Sequence, residues 1–152
     1  TQSRSSAASD VYKRQDVLRV CGKDCDGMLL PAGPLLVAAQ LPDSNPVKKS
    51  ALAYVETYEK ANGAGSTNTF GGHMWDAGQL VVAALPVALK SGAKPGTPEF
   101  RVAMRDALEG VKDLAASQGV FNMSPTDHAG FDERSRVIVK VEGGKWVYQP
   151  GL

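Results

Sequence analysis

The sequence predicts an α/β fold, and three observations predict it. Three segments carry apolar residues at helical spacing between recognisable start and stop residues. The stretch after Gly119 is β-rich and punctuated by turn residues. A short apolar run, "GMLLPAG" at 27–33, is bounded by Gly and Pro, as suits a buried strand with a turn after it. The order reads helix, strand, three helices and a terminal β-meander, with no internal repeat. A chain of 152 residues has room for one domain with a real core.

Each element has its own signals. A short helix is expected from Asp16 to Asp26, with Val17, Val20 and Cys21 on one side and Gly27 as its stop. Leu35 to Pro42 is apolar but punctuated and reads as a crossing segment. The next helix is well marked: Asn45 can cap, Pro46 takes the first helical position, and Val47, Ala51, Tyr54, Val55 and Tyr58 form one stripe before Gly63. From about Trp75 to Lys90 the chain is apolar nearly all round, so that helix is expected to be buried between layers, with Pro86 near its last turn. "TPEF" opens a third helix with Thr97 as cap; Phe100, Met104, Ala107, Leu108 and Val111 make its inner stripe and Gly119 closes it. "GVFNM" and "SRVIVKVE" read as strands, and Gly143–Gly144 turns the latter into "KWVYQ" as a hairpin, placing Trp146 opposite the Val139–Val141 region.

Two features do not fit a complete domain. One short strand and a terminal meander make too little sheet to cover three well-patterned helices, which need a partner layer. The leader "TQSRSSAASDVYKRQ", residues 1–15, is polar and without amphipathic period. It is similar to translated adaptor read-through at the ends of metagenomic gene predictions, and residues 1–15 are set aside as non-native. The expectation is therefore a fragment whose natural chain begins upstream of Asp16.

Composition narrows the function classes. A net charge of +1 and no Lys/Arg stripe give no field for nucleic acid. The longest apolar run, Leu80 to Leu89, is about half a bilayer span, and residues 1–15 hold no apolar stretch of the secretory kind. Cys21 and Cys25 are four apart; on a helix they share a face with poorly oriented Cβ atoms, so a disulfide is not expected and the two read as small packed residues. Without further Cys or a nearby His they make no zinc site, and no metal or cofactor is expected. His73, Asp76, Asp127, His128 and Asp132 can be assembled on paper into an acid–base or metal site. "DHAGFD" is a turn, however, where Asp and His serve local hydrogen bonds, and no catalytic motif spacing is present. The chain is not read as an enzyme.

The stretch that attracts attention is "TFGGHMWDAG", Thr69 to Gly78, which gathers aromatic and imidazole side chains at an expected loop-to-helix junction of a chain only 7% aromatic. Together with "GMLLPAGP", "NPVKKSALAYVETYEKANGAG", "GTPEFRVAMRDALEG" and "GVFNMSPTDHAGFDERSRVIVKVEGGKW", in that order and spacing, it resembles the C-terminal part of the branched-chain amino acid-binding proteins of ABC transporters. The resemblance covers essentially all of residues 16–150 and rests on the ordered set, no single motif being diagnostic.

The resemblance implies a type I periplasmic binding fold: two α/β lobes joined by three crossing strands, with a small ligand held in the cleft. It implies crossings near Gly33–Pro34 and Arg134–Val137, second-lobe segments at 16–33 and 136–152, and a first-lobe segment at 34–135. The function it implies is ligand capture by hinge closure for a membrane permease. The whole protein is then a periplasmic monomer whose signal peptide lies in the missing N-terminal part. A sensor or receptor built on the same fold is the alternative. Phe70 aligns with an aromatic position that touches the ligand side chain, and His73 and Trp75 are carried with it as ligand-binding candidates; the groups for the ligand's ammonium and carboxylate come mainly from upstream.

Overall fold

The computed structural model describes Leu18 and residues 21–151. The leader, Val17 and Val20 lie outside the described residues. Among the described residues the first complete element is a 3-10 turn, Gly22–Cys25, and it overturns the reading of the cysteines: Cys21 and Cys25 are joined in a disulfide with their Cα atoms 5.7 Å apart. The expectation of two packed cysteines presumes an unbroken α-helix. The chain instead tightens into a 3-10 turn directly after Cys21, and the Cα separation falls within the span a disulfide bridges.

Strand β1, Leu29–Ala32, pairs antiparallel with β4, Val137–Glu142, which pairs antiparallel with β5, Lys145–Gln149, giving the order β1-β4-β5. The expectation of a buried strand fails for β1: it is an edge strand, with Leu29 51% exposed and Ala32 buried. An edge accommodates Pro31, whose missing N–H would break a central ladder. On the inner face Val139, Val141 and Trp146 pack with Ala32, Val37 and Leu41.

The β4–β5 turn is as the sequence predicts. Gly143 and Gly144 both have positive φ (57° and 73°), and Trp146 stands opposite Val141. Replacing both glycines by Val forces two β-branched residues into the left-handed region, at about 1–2 kcal/mol each. Amide exchange across β4–β5 in the double variant is expected to accelerate accordingly; unchanged protection would show that the turn does not hold the hairpin.

After Gly33 the chain runs as 3-10 structure over Pro34–Gln40, kinked at Val37 (φ −127°, ψ 30°). It joins two parts of the core, because Val37 faces the sheet cluster while Leu35 and Ala38 pack with Val47, Ala51, Tyr54 and Val120. Gln40 is fixed beside β5, its amide donating to the Trp146 carbonyl (2.9 Å) and accepting from the Tyr148 N–H (2.8 Å). A side-chain amide there satisfies strand groups that an open edge would leave free.

Helix α1, Lys48–Asn62, begins two residues later than the sequence predicts, because Asn45 accepts from the Val47 N–H (2.9 Å) and so closes a turn through Pro46 instead of capping the helix, whose N-cap Val47 has no side-chain cap bond; Gly63 (φ 97°) ends it. Ala51 and Tyr54 are its buried positions. Helix α2, Thr69–Leu89, begins six residues earlier than the sequence suggests, so "TFGGHMWDAG" lies within the helix and is not a junction. Asn68 is the reason: its side chain accepts from the Gly71 N–H (2.9 Å). Helix α3, Pro98–Glu109, has the predicted Thr97 cap but stops at Gly110 and not at Gly119. Val111 is buried beyond its end, Asp113 has φ 49°, and the two-residue strands β2, Leu114–Ala115, and β3, Val120–Phe121, pair as a separate antiparallel ribbon. Gly119 belongs to that ribbon, where a Cβ would come within 2.7 Å of Ser135 Cβ and 2.8 Å of the Phe131 ring.

Helices α2 and α3 pack through small residues, Ala84, Ala88 and Ala107, over Ala116, Phe121 and Met123. The opposite side of α2 is open, with Val82 66%, Val87 56% and Leu89 49% exposed. The expectation of a helix buried between layers is thus met on one side only.

Candidate functional site

The first turns of α2 divide the candidate residues between two faces. Phe70 (43% exposed), His73, Met74 (75% exposed) and Val81 lie on the exposed side, at the i, i+3, i+4, i+11 spacing of one helical face. Trp75 turns inward and stacks obliquely on Tyr54, with ring centroids 5.8 Å apart. Its indole Nε1 is buried without a hydrogen-bond partner among the described residues. The structure therefore brings Phe70 and His73 together and sets Trp75 behind them. A small cavity of about 80 Å³ adjoins this end of the helix, lined by Leu35, Leu36, Val55, Thr67, Asn68 and Thr69.

The Gly-Gly pair allows this packing. A Cβ on Gly71 would fall 2.2 Å from Tyr54 Oη, and one on Gly72 would fall 2.4 Å from Leu35 Cδ2. The Tyr54 hydroxyl uses that closeness to donate to the Asn68 carbonyl (3.1 Å). Glycine weakens a helix by about 1 kcal/mol, yet here any larger residue would push α2 off α1.

Below the pair, the loop before β3 grips the same helix. The Asp76 carboxylate, 1% exposed, accepts from the backbone N–H groups of Ser117 (2.7 Å) and Gln118 (2.9 Å). Ser117 Oγ donates to the Gly72 carbonyl (3.2 Å), and Gln118 Nε2 donates to the Thr69 carbonyl (3.0 Å). These four bonds fix the rotation of the first two turns of α2 and hence the direction of Phe70 and His73. Burial raises the Asp76 carboxyl above its ordinary value, and the bonds from Ser117 and Gln118 offset part of that rise. The sequence points to Asp76 only through the rival catalytic constellation; a lone Asp in an otherwise apolar helix is the available signal.

The other members of that constellation have separate local partners. Asp127 accepts from the N–H groups of Ala129 and Gly130 (3.0 Å each), closing its own turn. His128 Nε2 meets Glu109 Oε1 at 3.1 Å on an exposed surface. Asp132 is held at about 2 by its hydrogen bonds with Arg134. Among the described residues no three His, Cys, Asp or Glu side chains are grouped to hold a metal, and no helix is long and apolar enough to cross a membrane. A wider apolar groove of about 480 Å³ runs along α3 between Phe100, Met104, Leu108 and Met123, and none of Phe70, His73 or Trp75 lines it.

No family model and no curated protein matches the chain. Solved structures do. One is an extracellular ligand-binding receptor from Rhodopseudomonas palustris, 43% identical with a TM-score of 0.80 over 89% of this chain and 37% of that one. Two are extracellular ligand-binding receptors from strain HaA2 of that species. The first is 43% identical with a TM-score of 0.80 over 89% of this chain and 38% of its own. The second is 39% identical with a TM-score of 0.78, covering 89% and 37%. The chain thus has the mixed α/β fold of about 37% of a solved extracellular ligand-binding receptor chain, as a fragment of a two-lobe periplasmic binding fold does.

Proposed function

We propose that this chain is the C-terminal portion of the substrate-binding component of an ABC transporter for branched-chain or related amino acids. The observation that carries this reading is the 43% identity over 89% of the chain to an extracellular ligand-binding receptor. In this reading residues 16–33 and 136–152 belong to one lobe and 34–135 to the other, with Phe70 and His73 facing the cleft and Trp75 backing them. Phe70 offers the ligand's side chain an aromatic surface, while the ammonium and carboxylate partners lie upstream. The open face of α2 packs on sheet supplied by the remainder of the protein. Closing the two lobes buries the ligand, and the closed form is what a membrane permease recognises; a ligand shifts that equilibrium by its differential affinity for the two states. The Cys21–Cys25 disulfide supports maturation in an oxidising compartment such as the periplasm.

Thermal unfolding of the full-length protein against a panel of amino acids and small acids tests this. A cognate aliphatic amino acid at about a hundredfold its dissociation constant adds about 2.7 kcal/mol and raises the midpoint by roughly 3–5 °C. A shift with none of the panel would overturn the amino-acid assignment. Because the solved neighbours are described as receptors, a second reading is the ligand-binding domain of a sensor. A membrane span and signalling domain in the same gene would select it.

A further inference from the structure

The hairpin end of the three-stranded sheet is held from outside by the segment that carries the disulfide. Asp26 directly follows Cys25, and its Oδ1 accepts from the Gly143 N–H (3.0 Å) at the β4–β5 turn. Gly27 N–H donates to the Val141 carbonyl (2.8 Å) and Val141 N–H donates to the Met28 carbonyl (2.9 Å), which extends the β1–β4 ladder past Leu29. Met28 N–H donates back to the Cys25 carbonyl (3.0 Å). Cys25, Met28 and Leu18 pack against the sheet cluster beside Val141 and Trp146. Between the two sulfurs Gly22, Lys23 and Asp24 are all exposed, and Gly22 has φ 49°. Among the described residues, the disulfide and the 3-10 turn's own backbone bonds are what shape that loop. The opposite end of the sheet, where Ala32 pairs with Val137, leads into Pro34 and is remote in the ladder from the disulfide.

We propose that the Cys21–Cys25 disulfide is a redox-sensitive clip that holds Asp26 on the β4–β5 turn, so that its reduction loosens the hairpin end of the sheet and leaves the Ala32–Val137 end in place. The chemistry is a two-electron exchange: a dithiol reductant gives two hydrogens to the two sulfurs and leaves as its own cyclic disulfide. Cys21 and Cys25 are both only partly buried beside that exposed loop, which gives a thiolate access to the bond. Once reduced, the Gly22–Cys25 turn regains backbone freedom, Asp26 leaves its position more often, and Gly143 and Val141 lose an outside partner.

The test is amide exchange on the full-length protein, oxidised and then treated with dithiothreitol. Exchange at Gly27, Val141 and Gly143 is expected to rise by about tenfold on reduction, as a local opening does, while the amides around Ala32 and Val137 keep their rates. The Cys21→Ser/Cys25→Ser variant should reproduce that pattern without reductant, and Asp26→Ala in the oxidised protein should expose Gly143 alone. Unchanged exchange at Gly143 and Val141 after reduction would overturn the proposal. So would an equal acceleration throughout the sheet, which would make the disulfide a general stabiliser and not a clip.

Discussion

Titration of the 152-residue chain with leucine, isoleucine, valine or phenylalanine is expected to give no heat of binding. An α-amino acid is held by charge-assisted hydrogen bonds to its two charged groups, each contributing roughly 1.5–3 kcal/mol. In the proposed mapping those partners lie upstream of Asp16, so Phe70 and its neighbours offer apolar contact alone. Burying an aliphatic side chain recovers about 1.5–3 kcal/mol. Lost translational and rotational freedom costs about 4 kcal/mol or more. In that mapping the second lobe is also too incomplete to close and exclude water. Micromolar binding by this chain would place the polar site within it and overturn the mapping.

Asp76→Ala in the full-length protein is expected to be the most damaging single substitution near the candidate site. It removes the acceptor of two buried backbone N–H groups, those of Ser117 and Gln118. Each orphaned donor costs about 1–3 kcal/mol, a large share of a typical stability of about 5–15 kcal/mol. A midpoint lower by several degrees, with ligand affinity reduced because α2 is no longer held in rotation, is the expected result. A midpoint within error of the parent's would show that the carboxylate does not hold the Ser117–Gln118 loop.

The same residue gives a pH dependence with a definite sign. Burial raises the folded-state carboxyl above the ordinary 3.8. The folded protein therefore holds that proton more tightly than the unfolded chain. The stabilisation this provides is complete below the ordinary value and is lost as pH rises through the raised one. Denaturant midpoints of the parent should fall relative to Asp76→Asn across that window; a parallel course for the two would contradict it.

What sequence reading missed here has physical causes. The turn that Asn45 closes ahead of α1, the Thr97 cap of α3, the Gly143–Gly144 turn and the pairing of Trp146 with Val141 are local, and each is legible from a few residues. The start of α2 was not. Two adjacent glycines weigh against a helix, but Tyr54 and Leu35, far away in sequence, leave no room for a Cβ there. The disulfide was missed because the backbone leaves α-helical geometry directly after Cys21. The apolar stripe of the third helix runs on through Val111 past the helix's end, because Val111 is buried by its contact with the ribbon core and not by lying on the helix. Of the candidate site, the Phe70–His73 face was legible as an unusual cluster. The inward turn of Trp75 and the grip of Ser117 and Gln118 on Asp76 depend on tertiary contacts that no local pattern encodes.

The most direct measurement of the central claim is calorimetric titration of the full-length protein and its Phe70→Ala variant with the amino acid that stabilises it best. If the N-terminal face of α2 borders the ligand's side chain, removing one packed aromatic contact weakens binding by about tenfold to a hundredfold, with the unfolding midpoint of the free protein little changed because Phe70 is 43% exposed. An unaltered affinity in the variant, or no amino-acid binding by the parent, would contradict the account.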